Sequence, residues 1–91
     1  MDYRISDGKN QILVEQVSKK ITDDIVDQLV AYRKSIHMTQ QDVADITGIK
    51  RANIARIEGK RSEASLDSIV RYAKSLNLRV KLSLEEEEIN R

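Results

Sequence analysis

The 91-residue sequence predicts a mainly α fold, a bundle of four to five short helices followed by one C-terminal β-strand. Three observations carry this expectation. Apolar residues recur at helical spacing from Ile25 to Leu76, Gly48 separates two short amphipathic segments, and residues 78–84 alternate strictly between apolar and polar. The chain is expected to divide into an N-terminal arm (1–21), a helical domain (22–77), the strand (78–84) and an acidic flexible tail (85–91). A chain this short builds one modest core and often gains by oligomerising.

The first twenty residues admit two readings. Val14, Val17, Ile21 and Ile25 keep helical spacing, which favours a helix over about 11–19. Asp7-Gly8 instead suits a hairpin turn joining residues 3–5 to 12–14. Thr22 is expected to cap a helix over about 23–35, with Ile25, Leu29 and Tyr32 or Arg33 on successive turns and acids in a first turn that favours them. His37, the sole histidine, falls in the following turn and is read as a surface or turn residue.

Thr39 is a good N-cap, and Asp42 three residues on makes a weak capping box, so a second helix should begin at Gln40. Val43, Ala44 and Ile46 supply its expected buried face. Gly48 then stands where the helix must stop at positive φ, which glycine reaches at little steric cost. Ala44 is small enough for a third helix to cross closely, and Ile49, Ile54 and Ile57 continue the apolar pattern into it. A polar loop over 59–64 carries Lys60 and Arg61. Ser65 caps a last helix over about 66–76, with Leu66, Ile69, Val70, Ala73 and Leu76 as its inward stripe and Asn77 as a left-handed stop.

Two short helices joined by a tight glycine turn form the arrangement that lays one helix in the major groove of DNA. The outward positions of the third helix fit that use. Lys50, Arg51, Ala52, Asn53, Ala55 and Arg56 are cationic, amide-bearing or small, as a surface meeting base edges and phosphates requires. Charge is polarised in the same sense: residues 49–82 hold nine Lys and Arg against three acids, although the whole chain carries only +1. A near-neutral total therefore conceals a basic face.

These residues resemble a known family. The pattern MTQQDVADITGIKRANIARIEGKR followed by SLDSIVRYAKSLNL is similar to the Xre family of Cro/CI-type helix-turn-helix proteins over residues 23–78. The resemblance implies a lambda-repressor-like bundle. It also implies base reading by Lys50, Arg51 and Ala52, with a further contact at Ala55 or Arg56, and a phosphate contact by Gln40. Asn53, Lys60 and Arg61 are expected at phosphates too. Gly48 and Ala44 are the structural positions of the motif, and Arg33 is implied to pair with Glu58. The chain departs from the family pattern at Lys50, which has no acceptor with which to cap the recognition helix. A second departure is Lys60, which stands where a glycine is usual, with Gly59 one place earlier.

The strand is unusual beside such a bundle. Leu78, Val80, Leu82 and Leu84 share one side, and a lone strand leaves backbone groups and an apolar face without partners. Pairing with the same strand of a second protomer is expected, which makes the protein a homodimer. Pairing within the chain to the N-terminal segment is the other reading. A terminal strand of this kind resembles the HipB-like and HigA-like antitoxins, which implies a palindromic operator and a cognate toxin as partners.

Other classes are excluded by what is missing. There is no cysteine for a disulfide or thiolate site, no nucleophile set beside a base, and a lone histidine forms no metal site, so neither catalysis, cofactor nor metal is expected. No apolar run approaches a membrane span, and early acidic residues argue against a signal peptide; a cytoplasmic protein is expected. The functional expectation is a sequence-specific repressor of double-stranded DNA, the antitoxin of a toxin–antitoxin pair. The alternative is a prophage or stand-alone regulator with no toxin.

Overall fold

A computed structural model describes residues 8–86. Among the described residues four helices make up the fold: α1 (Gly8–Ser35), α2 (Gln40–Thr47), α3 (Arg51–Glu58) and α4 (Leu66–Ser75). Helices α3 and α4 pack against α1, α2 packs against α3 and α4, and the core lies between them. It consists of Leu29, Val43, Ala44, Ile54, Ile69, Tyr72, Ala73 and Leu76, with Ile25, Met38, Ile49, Ala64, Leu78 and Val80 packed on its margin.

Helix α1 is continuous through Thr22, which is a correction to the expected cap there. The Thr22 hydroxyl donates to the Lys19 carbonyl at 3.0 Å, the back-bond of a residue inside a helix. Two i,i+4 ion pairs, Lys19–Asp23 at 3.0 Å and Lys20–Asp24 at 3.2 Å, span the position and favour continuation. The hairpin reading fails for the same reason, since residues 12–14 are helical; residues 3–5 lie outside the described residues. Beyond the bundle, α1 exposes Leu13, Val17 and Ile21, each by more than half.

The helix ends follow local chemistry. Thr39 accepts from the Asp42 amide at 3.0 Å, and its own amide donates to Asp42 Oδ2 at 2.8 Å, completing the capping box. Asp42 is held below its usual carboxylate range by these bonds from Thr39, the backbone one first. Gly48 closes α2 at φ 77°, its amide bonded to the Ala44 carbonyl at 2.9 Å. Ser65 caps α4 by accepting from the Ser68 amide at 3.1 Å. His37 and Asn77 both take φ 60° and close α1 and α4 in the same way. In each case the next amide reaches back five residues, Met38 to Arg33 at 3.1 Å and Leu78 to Ala73 at 2.9 Å.

Three inward assignments need correction. Ile46, Leu66 and Val70 were expected in the core but are exposed, while Tyr72 is fully buried. Helix α4 is rotated so that Ile69, Tyr72, Ala73 and Leu76 face inward, because the tyrosine hydroxyl finds a carboxylate partner there.

The C-terminal strand is also corrected. Among the described residues there is no strand, and residues 78–86 form an irregular tail without a ladder. Among the described residues the tail meets no sheet edge, and residues 12–14, which could have paired with it, are part of α1. Only the first half of its alternation packs: Leu78 and Val80 rest on the core, while Leu82 and Leu84 stand in solvent.

Candidate nucleic-acid interface

Helix α3 has one buried side and one bare side. Ile54 is wholly buried and Ile57 partly so, which turns Arg51, Ala52, Asn53, Ala55 and Arg56 outward, with Lys50 exposed just before them. All six proposed contact residues of this segment therefore share an accessible surface. Lys50 occupies the N-cap without any side-chain bond, and its carbonyl accepts from Asn53 at 2.8 Å and Ile54 at 3.1 Å, so the helix starts on backbone bonds alone. The turn before it is reinforced by Thr47, whose hydroxyl donates to the Val43 carbonyl at 2.7 Å and accepts from the Ile49 amide at 3.1 Å.

The opposite end of α3 is anchored. Arg33, buried on α1, donates from Nη2 to Glu58 Oε1 at 3.0 Å and from Nε to Glu58 Oε2 at 3.1 Å. Its Nη1 reaches the Met38 carbonyl at 2.7 Å, at the start of the segment leading into α2. Tyr72 of α4 donates its hydroxyl proton to Glu58 Oε2 at 2.6 Å, and Gln40 of α2 donates to Oε1 at 3.1 Å. The last carboxylate of α3 thus ties all four helices together. Burial pushes Glu58 up, but bonds from Tyr72, Arg33 and Gln40 and the arginine charge outweigh it and hold the carboxyl below its usual range. Burial, then the adjacent carboxylate, drives the Tyr72 phenol well above its ordinary value. For Arg33 the same carboxylate and phenol outweigh burial and raise it. No described buried side-chain polar atom is left without a partner.

A groove of about 500 Å³ runs between the start of α3 and the start of α4. Lys50, Asn53, Arg56 and Arg71 line it with the hydroxyls of Ser65 and Ser68. Arg71 was not singled out from the sequence; its i,i+4 pairing with Asp67, at 3.0 Å, was the available signal that it lies on an exposed face.

The remaining site residues divide. Arg61 is exposed. Lys60 is turned toward α1, with Nζ 2.5 Å from Asp27 Oδ1, and its backbone has φ 56°. The left-handed step that ends α3 therefore falls on Lys60 and not on Gly59, which is helical at φ −76°. Gln40 has one amide proton committed to Glu58. Gly48 and Ala44 take their expected places at the turn and in the core.

Comparison with known proteins agrees with this geometry. The helix-turn-helix family model matches residues 29–82. Antitoxin HigA1 of Mycobacterium tuberculosis, in each of two strains, is 34% identical over 61 residues, which is 67% of this chain and 41% of the relative. The chain thus spans about two-fifths of the length of the curated relatives it matches. No solved structure matches it. Among the described residues no helix is long and apolar enough to cross a membrane. Family and relative together point to a non-enzymatic, DNA-binding regulator. With an exposed basic helix behind a glycine turn and a match across most of the bundle, the chain belongs to the Xre-type helix-turn-helix family of DNA-binding proteins.

Proposed function

We propose that this protein is a sequence-specific transcriptional repressor that acts in the cytoplasm as the antitoxin of a toxin–antitoxin pair, binding an operator in its own promoter. The observation that carries the DNA-reading part is the anchored recognition helix. Glu58 fixes α3 from three directions, so its outward residues are presented on a rigid element. Lys50, Arg51, Ala52, Ala55 and Arg56 read bases, and Gln40, Asn53 and Arg61 meet phosphates. Gln40 can do so while holding Glu58, because its amide carries a second proton. Likeness to the HigA1 antitoxins supports a toxin partner.

The eight-residue recognition helix, long enough for only one half-site, supports action as a homodimer, in which two-fold pairing would put a second copy about one helical turn away. Leu82 and Leu84, exposed at the end of a tail anchored by Leu78 and Val80, support a contact between protomers.

The test has two arms. Selection of duplexes from a random pool should recover an imperfect palindrome, and loss of any preferred sequence would refute specific recognition. Co-expression with the product of the neighbouring reading frame should relieve its growth arrest. The second reading is a stand-alone regulator, favoured by the fact that the likeness to HigA1 covers 41% of that protein. Absence of a toxic neighbour would establish it.

A further inference from the structure

The loop between α3 and α4 carries two adjacent cations in opposite circumstances. Lys60 is paired with Asp27 on α1, and Asp23 and Asp24 add to the same negative field. The Lys60 carbonyl accepts from Lys19 Nζ at 3.2 Å, and Lys19 is itself paired with Asp23. At the far end of the loop, the Ser18 hydroxyl donates to the Glu63 carboxylate. Contacts from successive turns of α1 therefore hold both ends of the segment 60–63. Arg61 lies between them, exposed, with no ion pair or hydrogen bond to another described residue.

This asymmetry matters at a polyanion. A cation contributes to DNA affinity by displacing condensed counterions from a phosphate, and one already neutralised by a carboxylate displaces few. Were Lys60 to leave Asp27 for a phosphate, it would bare that carboxylate beside the duplex, on a flank that already carries Asp23 and Asp24. We infer that Lys60 is a positioning residue that fastens the loop to α1, that Arg61 is the phosphate contact of the loop, and that the flank marked by Asp23, Asp24 and Asp27 faces away from DNA. The assignment rests on the DNA-binding role and refines it.

The salt dependence of binding separates the two roles. The full chain is titrated by fluorescence anisotropy against the tightest duplex recovered from a random pool, at several salt concentrations. Arg61→Gln should reduce the slope of log affinity against log salt by about 0.9, the increment for one phosphate contact. Lys60→Gln should leave that slope unchanged while lowering affinity at every salt concentration. Exchanging the pair, Asp27→Lys with Lys60→Asp, should restore both affinity and slope, since aspartate tolerates the left-handed backbone at position 60. A slope reduced by about 0.9 in Lys60→Gln, or an exchanged pair as weak as Lys60→Asp alone, would overturn the assignment. Failure of the unaltered chain to bind any duplex would remove the DNA-binding role itself, a result distinct from either.

Discussion

Arg33 on α1 and Glu58 at the end of α3 meet through two parallel hydrogen bonds of 3.0 and 3.1 Å, with both side chains less than one-tenth exposed. A pair this buried does not stabilise simply by its charge, because each ion has given up its hydration. Its value here is geometric. The planar guanidinium fork and the carboxylate admit few relative orientations, so the recognition helix is fixed against the helix that carries the bundle.

Breaking the pair from one side should be severe. Glu58→Ala leaves Arg33 buried and uncompensated, and should destabilise by about 3 to 5 kcal/mol. Tyr72→Phe keeps the ion pair but removes a 2.6 Å bond to a charged acceptor, for a loss of about 1.5 to 3 kcal/mol. Urea denaturation of the two variants ranks them, and equal losses would contradict a pair-centred network.

Acid should weaken the fold through the same carboxylate. The folded-state value of Glu58 is depressed below its ordinary 4.5, so its stabilising contribution is complete above that pH and is lost as pH falls through the folded value. Tyr72 has the opposite sign: its raised phenol contributes fully below 10.0, and the contribution is lost as pH rises through the higher folded value. Urea midpoints measured across pH should show both arms, with the alkaline arm reduced in Tyr72→Phe.

Backbone conformation predicts a pair of opposite effects. A side chain added at Gly48 would meet nothing within 4 Å, so the penalty of Gly48→Ala is conformational, about 1 kcal/mol at φ 77°. His37→Gly should stabilise by a similar amount, about 1 kcal/mol, since an exposed side chain at φ 60° is relieved of left-handed strain. Thermal melts would register the two shifts in opposite directions.

Base reading is tested by Arg51→Ala. Loss of a bidentate contact should cost about 1 to 3 kcal/mol on the selected duplex and relax preference at one position per half-site. Competition between duplex variants measures both. Unchanged affinity and preference would remove Arg51 from the reading surface.

The tail should separate packing from association. Leu82→Asp with Leu84→Asp should weaken the proposed dimer in sedimentation equilibrium while leaving the melting temperature of the monomer fold unchanged. Val80→Ala should do the reverse, because Val80 rests on the core.

Much of this was legible because it is local. The capping box at Thr39 and Asp42, the cap at Ser65, the left-handed stops at Gly48 and Asn77, and the outward chemistry of residues 50–56 depend on groups within a few positions of each other. Thr22 misled because a threonine that can cap a helix can equally bond back within one, and the i,i+4 pairs on either side decided which. The alternation of residues 78–84 misled differently: period two describes any extended chain with one side covered, whether by a sheet or by a helical core.

Helical spacing by itself determined that α2, α3 and α4 exist, local caps and turns where they begin and stop, and the residue types of 50–56 that the surface of α3 is basic. Spacing left open which arc of α4 turns inward, because Leu66 and Val70 satisfy the same period as Tyr72. Only the tertiary structure chose, by bringing a phenol, a guanidinium and an amide from three helices onto one carboxylate across 14, 25 and 18 residues of chain. It chose likewise between Lys60 and Arg61, which are equivalent as sequence and differ because α1 passes beside only one of them with Asp27. Caps are set by the bonds that a few neighbouring residues can make. Convergence of side chains is set by how whole helices cross, and that depends on every residue packed between them.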